Sequence, residues 1–488
     1  MLFNSYVFLL LFLPLTIIGY FGLNHFQKPQ LAKGFLLGMS LWFYGYFRPS
    51  YLLILIVSIL GNYALYRFLK FPNRKQSLRK TVMIFGVLLN VGTLGYFKYL
   101  DFLFKELNLI LHTDIPLLGI LLPLGISFFT FQQLGFVIDS YRGETGNYSF
   151  LDYALFVSFF PQLVAGPIVT HGEMIPQFQD PSKKRFQTDN FAKGCVYFIL
   201  GMSKKLLLAD AFGRAVDYAW MTIDYLAPAD VLIASLSFYL QIYFDFSGYS
   251  DMAIGLGKML NLDLPVNFDS PFKAITIADY WKRWHVTLTR FFTKYVYIPL
   301  GGNRRGVART YLNTFLVFLI SGIWHGAGTG YILWGISGGI GLIVCKALAS
   351  LLEKIRKNKL GAAFLWFLTA AYVSIFFSFF RAEDAGLGLQ FFARLLPSVS
   401  AGAHGILSDI PKVMFDFSGL GYTMQRVQAP LCVLFYAMAL LIAIRMPNVR
   451  EIVFHFRYTA LQAIGLAILF LLCFLSLSGV ATYIYFNF

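Results

Sequence analysis

The sequence predicts an all-α protein that crosses a membrane many times, and three observations carry that expectation. Hydrophobic residues make up 58% of the 488 positions and charged residues only 13%, with a mean hydropathy of +0.64. That is more apolar surface than a soluble core needs, and a polytopic membrane protein does need it. Apolar runs long enough to span a bilayer, or nearly so, begin near residues 5, 34, 51, 82, 116, 151, 191, 230, 311, 330, 362, 430 and 458. Between them sit short basic clusters: Lys70–Lys80, Lys183–Arg185, Lys354–Lys359 and Arg445–Arg457. The net charge of +16 therefore belongs to cytoplasmic loops under the positive-inside rule, and nucleic-acid binding is set aside.

Some runs are short or interrupted by Gly and Pro, so about eleven true spans plus re-entrant pieces are expected. The first, Met1 to Tyr20, lacks a basic leader and a small-residue cleavage site and reads as a retained span. Placing the basic linkers in the cytoplasm puts the N-terminus outside. The long loop 382–428 then faces outward, with the amphipathic piece Leu387–Leu396 at the interface. The chain reads as a single membrane domain, 1–488. Cys195, Cys345, Cys432 and Cys473 are scattered without metal-ligand spacing, so neither a metal nor a disulfide framework is expected.

Several stretches break the pattern of apolar spans and basic loops. In Leu121–Gln133, Pro123 and Gly125 interrupt an apolar run, and Gln132 and Gln133 need partners, which neighbouring helices can supply. In Phe159–Pro167, two prolines and a glycine imply a broken helix. Protein or water must satisfy the freed backbone, and such a break serves either a substrate path or packing. The run Tyr239–Gly257 (YLQIYFDFSGYSDMAIGLG) places Asp245, Ser247, Tyr249, Ser250 and Asp251 in apolar surroundings. Asp and Ser there suggest a helix restarting near Gly248, with the carboxylates holding backbone amides rather than forming an acid–base pair.

The segment 267–310 is expected to lie at, or re-enter from, the cytoplasmic interface. Trp281, Trp284, Leu288 and Phe291 or Phe292 recur at helical spacing, with Lys282, Arg283 and Arg290 alongside and aromatic rings at headgroup level. His285 falls on or beside that apolar face, where an interfacial hydrogen-bonding role competes with a catalytic one. The turn Tyr297–Gly306 (YIPLGGNRRG) can present backbone amides and guanidinium groups to phosphate, or can simply be a cytoplasmic loop.

The chain is organised around Ile320–Thr329 (ISGIWHGAGT), which sets His325 between two long apolar runs. An ionisable side chain at membrane depth is costly and usually faces a wet cavity, which makes it a functional-site candidate. Gly322, Gly326 and Gly328 remove bulk around it, so that a substrate or another backbone can come close. A histidine tying two packed helices together is the competing reading.

Taken together, FFPQLVAGPIV (159–169), IYFDFSGYSDMAIG (242–255), DYWKRWHVTLTRF (279–291), YIPLGGNR (297–304), SGIWHGAG (321–328) and the closing Tyr485–Phe488 resemble the membrane-bound O-acyltransferase family. The likeness runs over the whole chain and is nearest to the alginate O-acetyltransferase subgroup, with the teichoic-acid D-alanyl transferases as cousins. Thr293-Lys294 stands where many relatives carry an Arg-Asp pair. The resemblance implies a ring of tilted spans with re-entrant and interfacial helices around a central tunnel. It places the family's catalytic histidine on His325 and its second histidine on His285.

Acyl transfer needs a hydroxyl, a base and a hold on the thioester. His325 is the expected base. Trp324, Gly326, Asp245, Ser247, Tyr249, Asp251 and Asn267 are expected to shape the acyl slot and tunnel. Arg283, Arg290, Asn303, Arg304 and Arg305 are expected to bind the phosphates of acetyl-CoA or of a carrier-protein arm, without a metal. The expected partners are membrane lipid, a cytoplasmic acyl donor and an extracellular acceptor protein that finishes polysaccharide O-acetylation, in a bacterial cytoplasmic membrane. D-alanyl transfer from a carrier protein and a transporter or flippase are the alternatives.

Overall fold

The computed structural model describes all residues except 72–73, 383, 416–425, 480–482 and 485–488. Among the described residues there are helices and loops but no strand, as the composition predicts. The chain divides into two compact units, residues 1–200 with 249–266, and residues 201–248 with 267–484. The closing motif 485–488 and the part 416–425 of the long loop 382–428 lie outside the described residues.

The first unit contains α1 (Phe8–His25), α2 (Pro29–Gly45), α3 (Pro49–Lys70), α4 (Gln76–Leu111), α5 (Ile126–Arg142), α6 (Phe150–Ser158), α7 (Phe160–Leu163), α8 (His171–Gln179) and most of α9 (Thr188–Ser203). Proline in the first turn starts α2 and α3, where its missing N–H costs nothing. The apolar run near 116 stays non-helical up to Gly125, which has φ +71° and caps α5. The break expected at 159–167 is present. α6 stops at Ser158, Pro161 lies in the first turn of α7, and helix resumes at His171 behind a Thr170/Glu173 capping box. Protein groups satisfy the opened backbone: the Gln162 side chain donates to Phe156 O (2.7 Å) and Phe160 N donates to Ser40 Oγ (3.3 Å). Gln133 joins helices as expected, donating to Ser58 Oγ at 3.0 Å and accepting from the Tyr153 hydroxyl at 3.3 Å.

The second unit contains a π-helical turn, Lys204–Ala209, then α10 (Asp210–Met221) and α11 (Pro228–Met259) as far as Gly248, the rest of α11 counting with the first unit. Next come the short α12 (Ile277–Arg283) and α13 (Val286–Phe292), the hairpin α14 (Val307–His325) and α15 (Thr329–Ala347), then α16 (Ala349–Arg356) and α17 (Lys359–Arg381). α18 (Ala385–Ala393), α19 (Ile410–Met414), α20 (Gln428–Ile444), α21 (Val449–Phe454) and α22 (Ala460–Leu475) complete it. Among the described residues, α1, α3, α4, α11, α14, α15 and α17 are the seven helices long and apolar enough to cross a membrane, and α20 and α22 are shorter apolar helices. The sequence count of about eleven spans plus re-entrant pieces is higher because apolar runs there also fold as shorter helices, among them α2 and α9, of 17 and 16 residues, and α20 and α22.

Two local expectations are corrected. α11 does not restart near Gly248; it runs unbroken through the whole DFSGYSD stretch. Gly248 is there for close approach, since a Cβ at that position would lie 2.7 Å from Gly201 O. The aromatic stretch 281–292 is two helices, not one. His285 sits between them in left-handed backbone, φ +45° and ψ +52°. The residues 267–269 run against the break and take up its polar groups: Val286 N donates to Asn267 O, and Asp269 N to Arg283 O, both at 2.9 Å. The amphipathic piece of the loop 382–428 is α18, capped by the Asp384 carboxylate on Leu387 N and tied by Gln390 to Asp224.

Candidate functional site

His325 is the last residue of α14, and the hairpin geometry follows from its glycines. A Cβ on Gly322 would stand 2.4 Å from Tyr331 O, and one on Gly335 would stand 2.7 Å from Phe318 O, so the backbones of α14 and α15 touch. Small residues allow that approach where lipid supplies no hydrophobic drive. Gly326 makes room in the same way for the Tyr331 ring, which a Cβ would strike at 2.0 Å. Its smallness therefore serves the hairpin. The imidazole is 4% exposed. Its neighbours are the rings of Trp324 (centroids 4.8 Å apart), Trp334 (4.9 Å) and Phe380 (5.0 Å). These three rings line the imidazole, and Ile323 and Ala327 beside it are exposed.

The same cluster extends to α12. Trp281 meets Trp334 edge-on at 5.9 Å and Phe318 at 4.9 Å, while Trp284 lies 5.0 Å from Phe377. One residue past Trp284, His285 is buried against Phe246 (4.8 Å). Asn267 Oδ1 receives the Thr287 amide at 3.3 Å, the Thr287 hydroxyl at 2.9 Å and His285 Nδ1 at 3.1 Å. A backbone N–H can only donate, so the Asn267 atom is oxygen and His285 Nδ1 carries a hydrogen. In the neutral ring Nε2 is then the basic nitrogen. Burial pushes the His285 pKa down from 6.5 to about 3. A depressed histidine stabilises the fold fully above its ordinary pKa and loses that contribution as pH falls toward the folded value. The melting temperature of the purified protein should therefore fall between about pH 6.5 and pH 3. In His285→Gln that slope should be smaller; equal slopes in differential scanning fluorimetry would remove the assignment.

The structure supplies a group that the sequence reading missed. The Lys205 ammonium, 2% exposed, lies 2.8 Å from Asp210 Oδ1 and 2.7 Å from Asp245 Oδ1. Asp245 also accepts the Ile484 amide at 3.0 Å, which agrees with a backbone-holding role, but its main partner is the lysine. The signal was available in the sequence: a Lys204-Lys205 pair followed five residues later by Asp210 inside an apolar run, where ionisable groups are expected to pair. Ser247 accepts from Lys204 at 3.4 Å in the same unit. Tyr249 and Asp251 belong to the first unit, where Tyr249 stacks on Phe3 at 4.9 Å.

The basic turn also differs from expectation. The amides of Gly301, Gly302 and Arg304 already donate to Ile298, Tyr297 and Gly301 carbonyls. Arg283 is held by Asp279 Oδ1 at 3.0 Å and by Asp269 O. Among the expected donor-binding residues, Arg290, Asn303, Arg304 and Arg305 are exposed, so a phosphate would meet side chains there and not a nest of amides. Among the described residues, no group of three or more His, Cys, Asp or Glu could hold a metal ion.

Comparison with known proteins gives consistent matches. A model of the membrane-bound O-acyltransferase family matches residues 137–381. Peptidoglycan O-acetyltransferase of Helicobacter pylori is 40% identical over 417 residues, 80% of this chain and 79% of that protein. Probable alginate O-acetylase AlgI of Pseudomonas aeruginosa is 36% identical over 389 residues, 79% of this chain and 72% of that protein. Teichoic acid D-alanyltransferase of Streptococcus thermophilus is 27% identical over 250 residues, 48% of this chain and 60% of that protein.

Proposed function

This chain belongs to the membrane-bound O-acyltransferase family, and from that premise we propose that it moves an acetyl group from a cytoplasmic thioester across the membrane for O-acetylation of a cell-surface polysaccharide. It is an acyl-transferring enzyme of a multi-pass membrane class. The observation that carries the acetyl reading is a caged histidine at the end of α14 in a chain 36–40% identical to O-acetyltransferases over about four fifths of its length.

In the reaction, His325 takes the proton of an acceptor hydroxyl as its oxygen attacks the thioester carbonyl. The tetrahedral intermediate collapses, the C–S bond breaks, and the thiolate leaves as thiol with the proton returned from the imidazolium. That transient cation forms at a helix C-terminus, whose partial negative charge stabilises it by about 0.3–2 kcal/mol. His285, with its Nε2 basic and its ring fixed by Asn267, orients donor or acceptor. Trp324 borders the acyl group, and Asp245 and Ser247, engaged with Lys205 and Lys204, hold the second unit's share of the route. The donor is acetyl-CoA or a carrier-protein thioester on the cytoplasmic side of a bacterial cytoplasmic membrane. The acceptor is a partner protein on the outer side that completes polysaccharide modification.

The test is transfer of radiolabel from acetyl-CoA to an added acceptor by the protein in proteoliposomes. D-alanyl carrier protein as the sole productive donor would instead place the chain with its D-alanyl-transferring relatives, and substrate movement without thioester cleavage would make it a transporter. The phosphate-binding part is tested separately. With Arg304→Ala and Arg305→Ala combined, the KM for acetyl-CoA should rise by about tenfold, as expected for loss of one to two kcal/mol of charge-assisted bonding, with kcat within about twofold. An unchanged KM removes that role.

A further inference from the structure

We propose that Trp334 is a catalytic residue whose indole N–H stabilises the oxyanion formed on the thioester carbonyl; this rests on the acyl-transfer reading. Trp334 is 2% exposed, and its Nε1 has no hydrogen-bond partner among the described residues. A buried N–H left unpaired costs about 1–3 kcal/mol, a cost phenylalanine would avoid while still filling the same cluster. The rings around it include no ordinary acceptor apart from one imidazole. Trp334 packs against Phe376 at 5.6 Å, Phe377 at 6.1 Å, Phe380 at 5.7 Å, Phe318 at 6.5 Å and Trp281 at 5.9 Å. The phenylalanines carry no polar atom and the Trp281 indole is donor-only. The remaining ring among these contacts is the proposed base itself, His325, which meets the indole edge-on at 4.9 Å and 81°.

An unsatisfied donor beside a general base is the arrangement that acyl transfer requires. When the acceptor oxygen bonds to the carbonyl carbon, the C=O π pair moves to oxygen and creates a negative charge. A fixed N–H in a site walled by rings stabilises that charge more than water would, because it does not reorganise during the reaction. The fixing is visible: Trp334 precedes Gly335, the residue at which the α15 backbone meets α14, so the indole is set relative to His325 by backbone contact. When the C=O re-forms and the thiolate departs, the N–H returns to its unpaired state.

The test uses an isostere. Position 334 is filled with β-(3-benzothienyl)alanine by nonsense suppression, which keeps ring size and replaces N–H by sulfur, and Trp334→Phe is made in parallel. Loss of a single oxyanion donor should lower kcat by about 10²–10³-fold. The KM for acetyl-CoA should stay within about threefold, and the melting temperature should be unchanged or raised, because an unpaired polar group has been removed. A kcat within twofold of the native protein overturns the inference, as does a loss of rate accompanied by a lowered melting temperature in the isostere. His325→Ala measured alongside separates the two levels. Full activity there defeats the acyl-transfer reading itself, whereas an inactive His325→Ala with an active isostere defeats only the role of Trp334.

Discussion

Replacing His325 by alanine lowers acyl transfer by about 10²–10⁴-fold, the usual contribution of a positioned general base. The expectation follows from where the ring sits. It ends α14, stands within 5.0 Å (centroid to centroid) of three aromatic rings, and lies at the one point where the α14–α15 hairpin presents an imidazole. His325→Gln fills most of the same volume without a group able to accept and return a proton at neutral pH. It should be as inactive as alanine while melting closer to the native protein. The measurement is label transfer in proteoliposomes together with a melting curve for each variant. Transfer by His325→Gln at the native rate would reduce His325 to a packing residue, the competing reading that its apolar setting allows.

Lys205→Met should be the most destabilising single change in the second unit. Lys205 lies between two carboxylates and is almost wholly buried. Removing one partner of a buried ionic group typically costs about 3–5 kcal/mol, because the charges left behind stay desolvated. Here the remainder is a pair of aspartates facing one another. The expected result is little monodisperse protein after extraction in mild detergent, and a lowered melting temperature in what survives. Lys205→Met combined with Asp210→Asn and Asp245→Asn should recover part of the loss, since the orphaned charges go with the lysine. A single variant that melts like the native protein would show that the triad contributes nothing to the fold.

The membrane class was legible because it depends on composition and on runs of like residues, properties that survive any folding detail. The broken helix at 159–167 was legible for a local reason: Pro161, Gly166 and Pro167 act on their own backbone. The helix break at His285 escaped because aromatic residues keep helical spacing on both sides of it, and a single left-handed residue leaves no mark on periodicity. Gly248 misled in the opposite direction. Glycine beside Asp and Ser resembles a helix boundary, yet here it serves an approach to Gly201, a position remote in sequence. Lys205 was only half legible: Asp210 follows it in sequence, but its second carboxylate, Asp245, comes from another helix. Arg283 looked available for a ligand until Asp279, one turn earlier, was seen to hold it. The site was thus legible where one residue type implies one chemistry, and obscure where tertiary pairing assigns the charge.

The contact between Gly322 and Gly335 has a consequence for how the enzyme can move. Two helices touching backbone to backbone cannot slide past one another without collision, so α14 and α15 behave as one lever, and His325 and Trp334 ride on it together. Any breathing that admits a reactant then involves the facing wall, α17, whose Phe376, Phe377 and Phe380 rings pack on Trp334 and, for Phe380, on His325 as well.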